Sequence, residues 1–142
     1  MVALGLDTTI LLFLSGSILL GGLVIGVWKY RQMATSATAL AHPYVDIAHR
    51  AALMYSFATL VLAALAEFSA FPTAVNLVAG LVVVLFFVAA VATYVVHGFR
   101  EDTDNQFEHP VPGTHAFMWA LIGGEIGGTT VLLLGFVVGQ FF

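Results

Sequence analysis

The chain has 142 residues, 61% hydrophobic and 8% charged, with a mean hydropathy of +1.03. Soluble domains carry roughly 25% charged residues, so this composition excludes an ordinary water-facing surface, and four Lys/Arg are too few for a nucleic-acid patch. The lack of Cys excludes a disulfide framework and thiolate chemistry.

Four apolar runs reach the ~20 residues that a bilayer-spanning helix needs. The first extends roughly from Thr8 to Trp28. The segment before it, Met1 to Thr8, has no positive charge and carries Asp7. A cleavable secretory signal starts basic, so this run is expected to be a permanent span. Gly22 and Gly26 form a G-x-x-x-G step in it, a pattern that lets helices approach closely in lipid, inside one bundle or between subunits. Beyond the first loop, Pro43 suits the first residue of a helix, with His42 as its cap. One long helix is predicted from Pro43 to Phe68, its first two turns standing above the membrane. Its apolar run covers Ala51 to Phe71, and Asp46 and Arg50 are spaced to pair at i, i+4.

Ser56 and Thr59 are expected to bond back to their own helix. A short turn at Ser69–Thr73 makes the third run, Ala74 to Val96, an antiparallel neighbour of the second. Glu67 and Asn76 bracket that turn and are expected to face water. Gly98 to Thr114 reads as an irregular polar loop, with Glu101, Asp102, Asp104 and Glu108 followed by Pro110, Pro112 and Gly113. The fourth run, Ala116 to Phe141, holds overlapping glycine steps, Gly123/Gly127 and Gly124/Gly128, around Glu125. The expected architecture is all-α: an integral membrane four-helix bundle forming a single domain over residues 1–142.

Lys29, Arg31, Arg50 and Arg100 all flank the first and third loops, as do His42, His49, His97, His109 and His115. The positive-inside rule therefore predicts both loops cytoplasmic and both termini outside. The expected location is the bacterial inner membrane, with the lipid bilayer as the main partner.

Three groups of residues could carry chemistry. His42, Asp46 and His49 would share one face of a helix, and imidazole and carboxylate are ligands for a transition-metal ion. Neutral imidazole is also the common axial ligand of haem. The alternative is an interfacial loop whose polar side chains meet headgroups and water. Tyr94 and His97 stand at i and i+3 at the end of the third run, where Tyr94 can act as an acid or anchor the helix at headgroup level. His97 could close a cofactor site with His49. Glu125 lies deep in the fourth run, where an acid costs about 2.5–3.5 kcal/mol to insert. A proton path, the floor of a substrate pocket, or a hydrogen bond to a neighbouring helix would each account for it.

The order of these features resembles the small four-span membrane isomerases typified by styrene oxide isomerase and hydroxylaminobenzene mutase. The shared pattern is Gly21-Gly22 in the first span, Ala48-His49-Arg50 leading into the second, Tyr94-Val95-Val96-His97 closing the third and Pro112-Gly113-Thr114 before the fourth. The resemblance covers nearly the whole chain in layout. It implies a trimeric bundle that holds haem b near the cytoplasmic surface, with ferric iron as a Lewis acid, His49 as axial ligand and Tyr94 near the substrate. The chain departs from the family pattern after the His, where Met54-Tyr55-Ser56 replaces an Asn-Gly pair, and the third span lacks the family's Asn.

The functional expectation is a haem- or metal-binding membrane enzyme, of isomerase or redox type, acting on a small apolar substrate. His49 and His97 would bind the cofactor, His42, Asp46 and His49 a metal ion, and Tyr94 and Glu125 would be catalytic. A non-enzymatic accessory subunit or a small proton-linked carrier is the competing expectation, with Glu125 central and the histidines tuning pH response. The topology has a direct check. Single cysteines at Thr35→Cys and Thr103→Cys should resist an impermeant thiol reagent added to intact cells, and labelling of either reverses the orientation.

Overall fold

A computed structural model describes residues 4–142; Met1–Ala3, part of the uncharged leading segment, lie outside the described residues. Four helices follow one another: α1 (Leu6–Thr35), α2 (Pro43–Glu67), α3 (Thr73–Arg100) and α4 (Thr114–Phe141). Each is long and apolar enough to cross a membrane. A helix satisfies its backbone groups internally, which is the requirement that lipid imposes. Helix α1 continues past the apolar run that ends at Trp28 and carries Lys29 and Arg31 on helical backbone.

Pro43 is the first residue of α2, and the His42 ring caps it by accepting the Tyr44 N–H at 3.3 Å. Glu101, in the left-handed region at φ 51°, ends α3, and Gly113 at φ 97° precedes α4. The loop between α3 and α4 therefore turns through a left-handed residue at each end.

Helices α2 and α3 form the middle of the bundle. Helix α1 packs on one side of them and α4 on the other, and α1 and α4 do not touch among the described residues. The core is a stack of Leu11, Leu62, Ala63, Val83, Val84, Phe87 and Leu132. The outer faces carry exposed Phe13, Leu20, Val24, Trp119 and Ile126, the surface expected of a chain solvated by lipid.

Glycines set the helix separations. A Cβ on Gly22 would press on Ala52 and Leu53 at 3.1 Å, so the Gly22/Gly26 step admits α2 and acts inside the bundle. The two glycine steps of α4 divide their tasks. Gly124 and Gly128 press on Phe86, Val83 and Ala79 of α3, whereas Gly123 and Gly127 have open space beside them. Ser56 and Thr59 bond back to Leu53 and Tyr55 carbonyls, and the Ser15 hydroxyl donates across to the Ser56 carbonyl at 2.8 Å.

The polar cluster at the α2–α3 turn differs from the sequence expectation. Asn76 does not face water; it is 2% exposed. Its amide donates to the Asp7 carboxylate at 3.1 Å and to the Phe71 carbonyl at 3.2 Å, and its Oδ1 accepts from the Ser69 hydroxyl. Asp7, itself buried, reaches it from the start of α1 across 69 positions of sequence. An amide beside a short turn reads locally as solvated, and only the docking of α1 covers it. Asn76→Ala should cost about 1–3 kcal/mol, because it leaves the buried Asp7 carboxylate and the half-buried Ser69 hydroxyl without the amide they share. Thermal unfolding in detergent measures this, and an unchanged transition would mean that water replaces the amide.

Candidate functional site

The cationic end of the bundle, where Lys29, Arg31, Arg50 and Arg100 sit, also gathers the polar side chains that could do chemistry. Helix α1 brings Lys29 to Asp46 at 2.5 Å, and Arg50 meets the second Asp46 oxygen at 2.9 Å from one turn along α2. The hydrogen bond from Lys29, then the charges of Lys29, Arg50 and His49, hold the Asp46 carboxyl below its ordinary range despite its partial burial.

Two helical turns after His42, the His49 ring lies in the notch between α2 and α1. A Cβ on Gly26 would come within 2.7 Å of its Cε1, so glycine there makes room for the imidazole. His49 Nδ1 sits 2.9 Å from the Gly22 carbonyl oxygen. A carbonyl only accepts, so Nδ1 carries the proton and the Nε2 lone pair is left available.

His42, Asp46 and His49 share one helix without sharing a site. His42 Nε2 pairs with Asp104 at 3.3 Å, Asp46 is taken by Lys29 and Arg50, and His49 turns to Gly22. Among the described residues no three His, Asp or Glu side chains converge to hold a metal ion. The reason is local. His42 is the cap outside the first turn, while Asp46 and His49 are drawn to partners on α1. His49 and His97 likewise face different neighbours: His49 the α1 notch, His97 the loop and Tyr44.

Tyr44, which the sequence reading passed over, is the centre of the aromatic arrangement. It is 4% exposed, with its ring 5.1 Å from that of His97, 5.9 Å from Tyr94 and 6.2 Å from His42. Its hydroxyl oxygen accepts the Gln106 N–H at 2.6 Å, from the loop between α3 and α4. The available signal was its place at the second residue after a helix-starting Pro, beside His42. A tyrosine there reads equally well as an interfacial anchor.

A cavity of about 490 Å³ lies beside this cluster, between the end of α3, the loop and the start of α4. Small-molecule sites fall in the range of roughly 300–1,000 Å³. Tyr94, His97, Gln106 and His109 give it polar groups, and Ala90, Phe117, Met118 and Leu121 give it apolar walls. His97 Nδ1 bonds Asp102 Oδ1 at 2.8 Å. That bond, with lesser help from the charges of His97 and Arg100, holds the exposed Asp102 carboxyl below its ordinary range. An imidazole oriented by a carboxylate is a device that moves protons or binds metal with its other nitrogen.

Glu125 stands below the cavity. Thr114, Met118 and Leu121 line it along one face of α4, and Glu125 continues that face one turn deeper, about 6 Å along the axis from Leu121. Its Oε1 is buried and has no hydrogen-bond partner. Nearby in the bundle core, the Tyr55 ring stacks on Phe87 at 4.1 Å.

The Lys29–Asp46–Arg50 group makes a pH-dependent prediction. A carboxyl whose folded value is depressed adds stability above its unfolded value, about 3.9, and loses it as pH falls through the folded value. Asp46→Asn should therefore lower stability by up to about 1 kcal/mol at neutral pH, as for other partly exposed ion pairs. Thermal melts of both proteins should show a constant gap down to about pH 4, closing in more acid solution. A gap that persists in strong acid would instead indicate poor packing of Asn.

Comparison with known protein families, with curated proteins and with solved structures returned no match, so the reading of the site stands on its own residues.

Proposed function

We propose that this chain is a membrane-embedded enzyme of isomerase or redox type that binds haem b and acts on a small apolar substrate at the cytoplasmic face of a bacterial inner membrane. The observation that carries the proposal is His49: a single imidazole in a glycine-lined notch, its Nδ1–H fixed on the Gly22 carbonyl and its Nε2 free to ligate. A backbone carbonyl holding the far nitrogen is the usual support of a metal-ligating histidine. A single imidazole would suit haem, held by His49, better than a bare transition-metal ion, which needs several converging ligands. When bound, haem supplies a Lewis acid that polarises a substrate oxygen.

The chain's own residues have distinct parts. Tyr94 and His97 line the cavity with polar groups, and Asp102 orients the His97 ring so that its second nitrogen can give or take a proton. Phe117, Met118 and Leu121 make an apolar wall for a substrate that partitions from lipid. Glu125, one turn deeper, offers a carboxyl that can hold or move a proton beneath the cavity. A homo-oligomer, a trimer in the family this layout resembles, would complete the cover around a bundle of only four helices, with Gly123 and Gly127 free for a neighbour.

One observation favours a second reading. The unpartnered Glu125 oxygen within an apolar helix also suits a proton-linked carrier or an accessory subunit that needs no cofactor.

The two readings separate in one spectrum. The purified protein should show a Soret band, removed or shifted by His49→Ala and equally by Gly26→Leu, whose side chain would fill the notch. A colourless, metal-free protein with full activity would leave the carrier or subunit reading.

A further inference from the structure

The segment between α3 and α4 roofs the cavity: Asp102, Thr103, Gln106, His109, Val111 and Pro112 all line it. Its backbone-to-backbone hydrogen bonds are local among the described residues, Glu101 to His97, Glu108 to Asn105 and Thr114 to Val111. What ties the roof to the helices is three bonds through side chains. Tyr44 of α2 accepts the Gln106 N–H, His42 at the cap of α2 pairs with Asp104, and His97 of α3 pairs with Asp102. The ring of Phe107 adds a looser contact with His115, at 6.5 Å. Both ends of the segment are left-handed residues, Glu101 and Gly113.

We infer that residues 102–112 form a latched lid, with Tyr44 as its central latch and the two His–Asp pairs as flanking ties. A segment held by few, mostly exposed side-chain bonds opens at low cost while the helices stay packed. Opening it uncovers the cavity to water at the cationic end, a route separate from entry through lipid.

The chain has no cysteine, so one introduced thiol reports on the lid without interference. Met118→Cys places it on the cavity wall, and Thr35→Cys, on the exposed end of α1, serves as the open reference. The probe is a small water-soluble methanethiosulfonate, applied to protein in detergent at neutral pH, with the cavity rate divided by the reference rate. Labelling tracks the open population when closing is fast. Tyr44→Phe, which keeps the ring, should raise the relative rate about fivefold, the effect of losing one hydrogen bond. Asp102→Asn with Asp104→Asn, both at exposed positions, should raise it as well.

A relative rate unaffected by Tyr44→Phe overturns the lid, whether that rate is high or low. A relative rate unaffected by Asp102→Asn with Asp104→Asn overturns the part given to the His–Asp ties. Neither result depends on haem or on any enzymatic activity.

Discussion

The close approach of α1 to α2 at Gly22 and Gly26 is the constraint on which the cationic end depends. With no side chain at either position, α1 comes near enough for the Gly22 carbonyl to take the His49 N–H and for Lys29 to reach Asp46. The same approach brings Trp28 against Gly98 of α3, where a Cβ would come within 3.3 Å of the indole. Between helices apolar enough to cross a membrane, burial of apolar surface in lipid would give little drive to associate, so small residues and polar contacts matter for the packing. Here the two coincide: the glycines admit a neighbour, and the neighbour supplies the polar contact.

The bundle is held by polar contacts at both of its ends and by apolar packing between them. At one end Asp7, Asn76 and Ser69 join α1 to the α2–α3 turn, which α4 covers through Gly135 and Gln140. At the other, Lys29, Asp46 and Arg50 join α1 to α2, while Tyr44 joins α2 to α3 and the loop. Apolar helices can slide or rotate against each other at little cost; directional bonds at the two ends set their register.

The division of the bundle into an α1–α2 side and an α3–α4 side separates two kinds of chemistry. His49 belongs to the first, with one nitrogen committed to a backbone carbonyl. The cavity belongs to the second, with His97 committed to Asp102 and Glu125 lying one turn beneath. Tyr44 stands between, on α2 but packed against Tyr94 and His97. The proposed cofactor ligand and the proposed proton-handling groups are thus fixed by different helix pairs, and a substitution in one notch need not disturb the other.

Much of the helical framework was legible locally. Apolar runs of spanning length, Pro43 with its His42 cap and the Asp46–Arg50 pair each depend on residues within a turn or a run of the same helix, which is what pattern and spacing report. The backbonding of Ser56 and Thr59 was readable for the same reason. Placement of the polar groups was not. Asn76 is buried because Asp7 arrives from 69 positions away, and His42, Asp46 and His49 part company because α1 and the loop offer each a different partner. Tyr44 matters only once α3 and Gln106 stand beside it. The sequence by itself determined which segments are helices, because an apolar run long enough to cross a bilayer, where a backbone would have to satisfy its own hydrogen bonds, reads as a helix. The tertiary structure alone decided which side chains meet, because those partners are chosen by contacts between helices that no local spacing encodes.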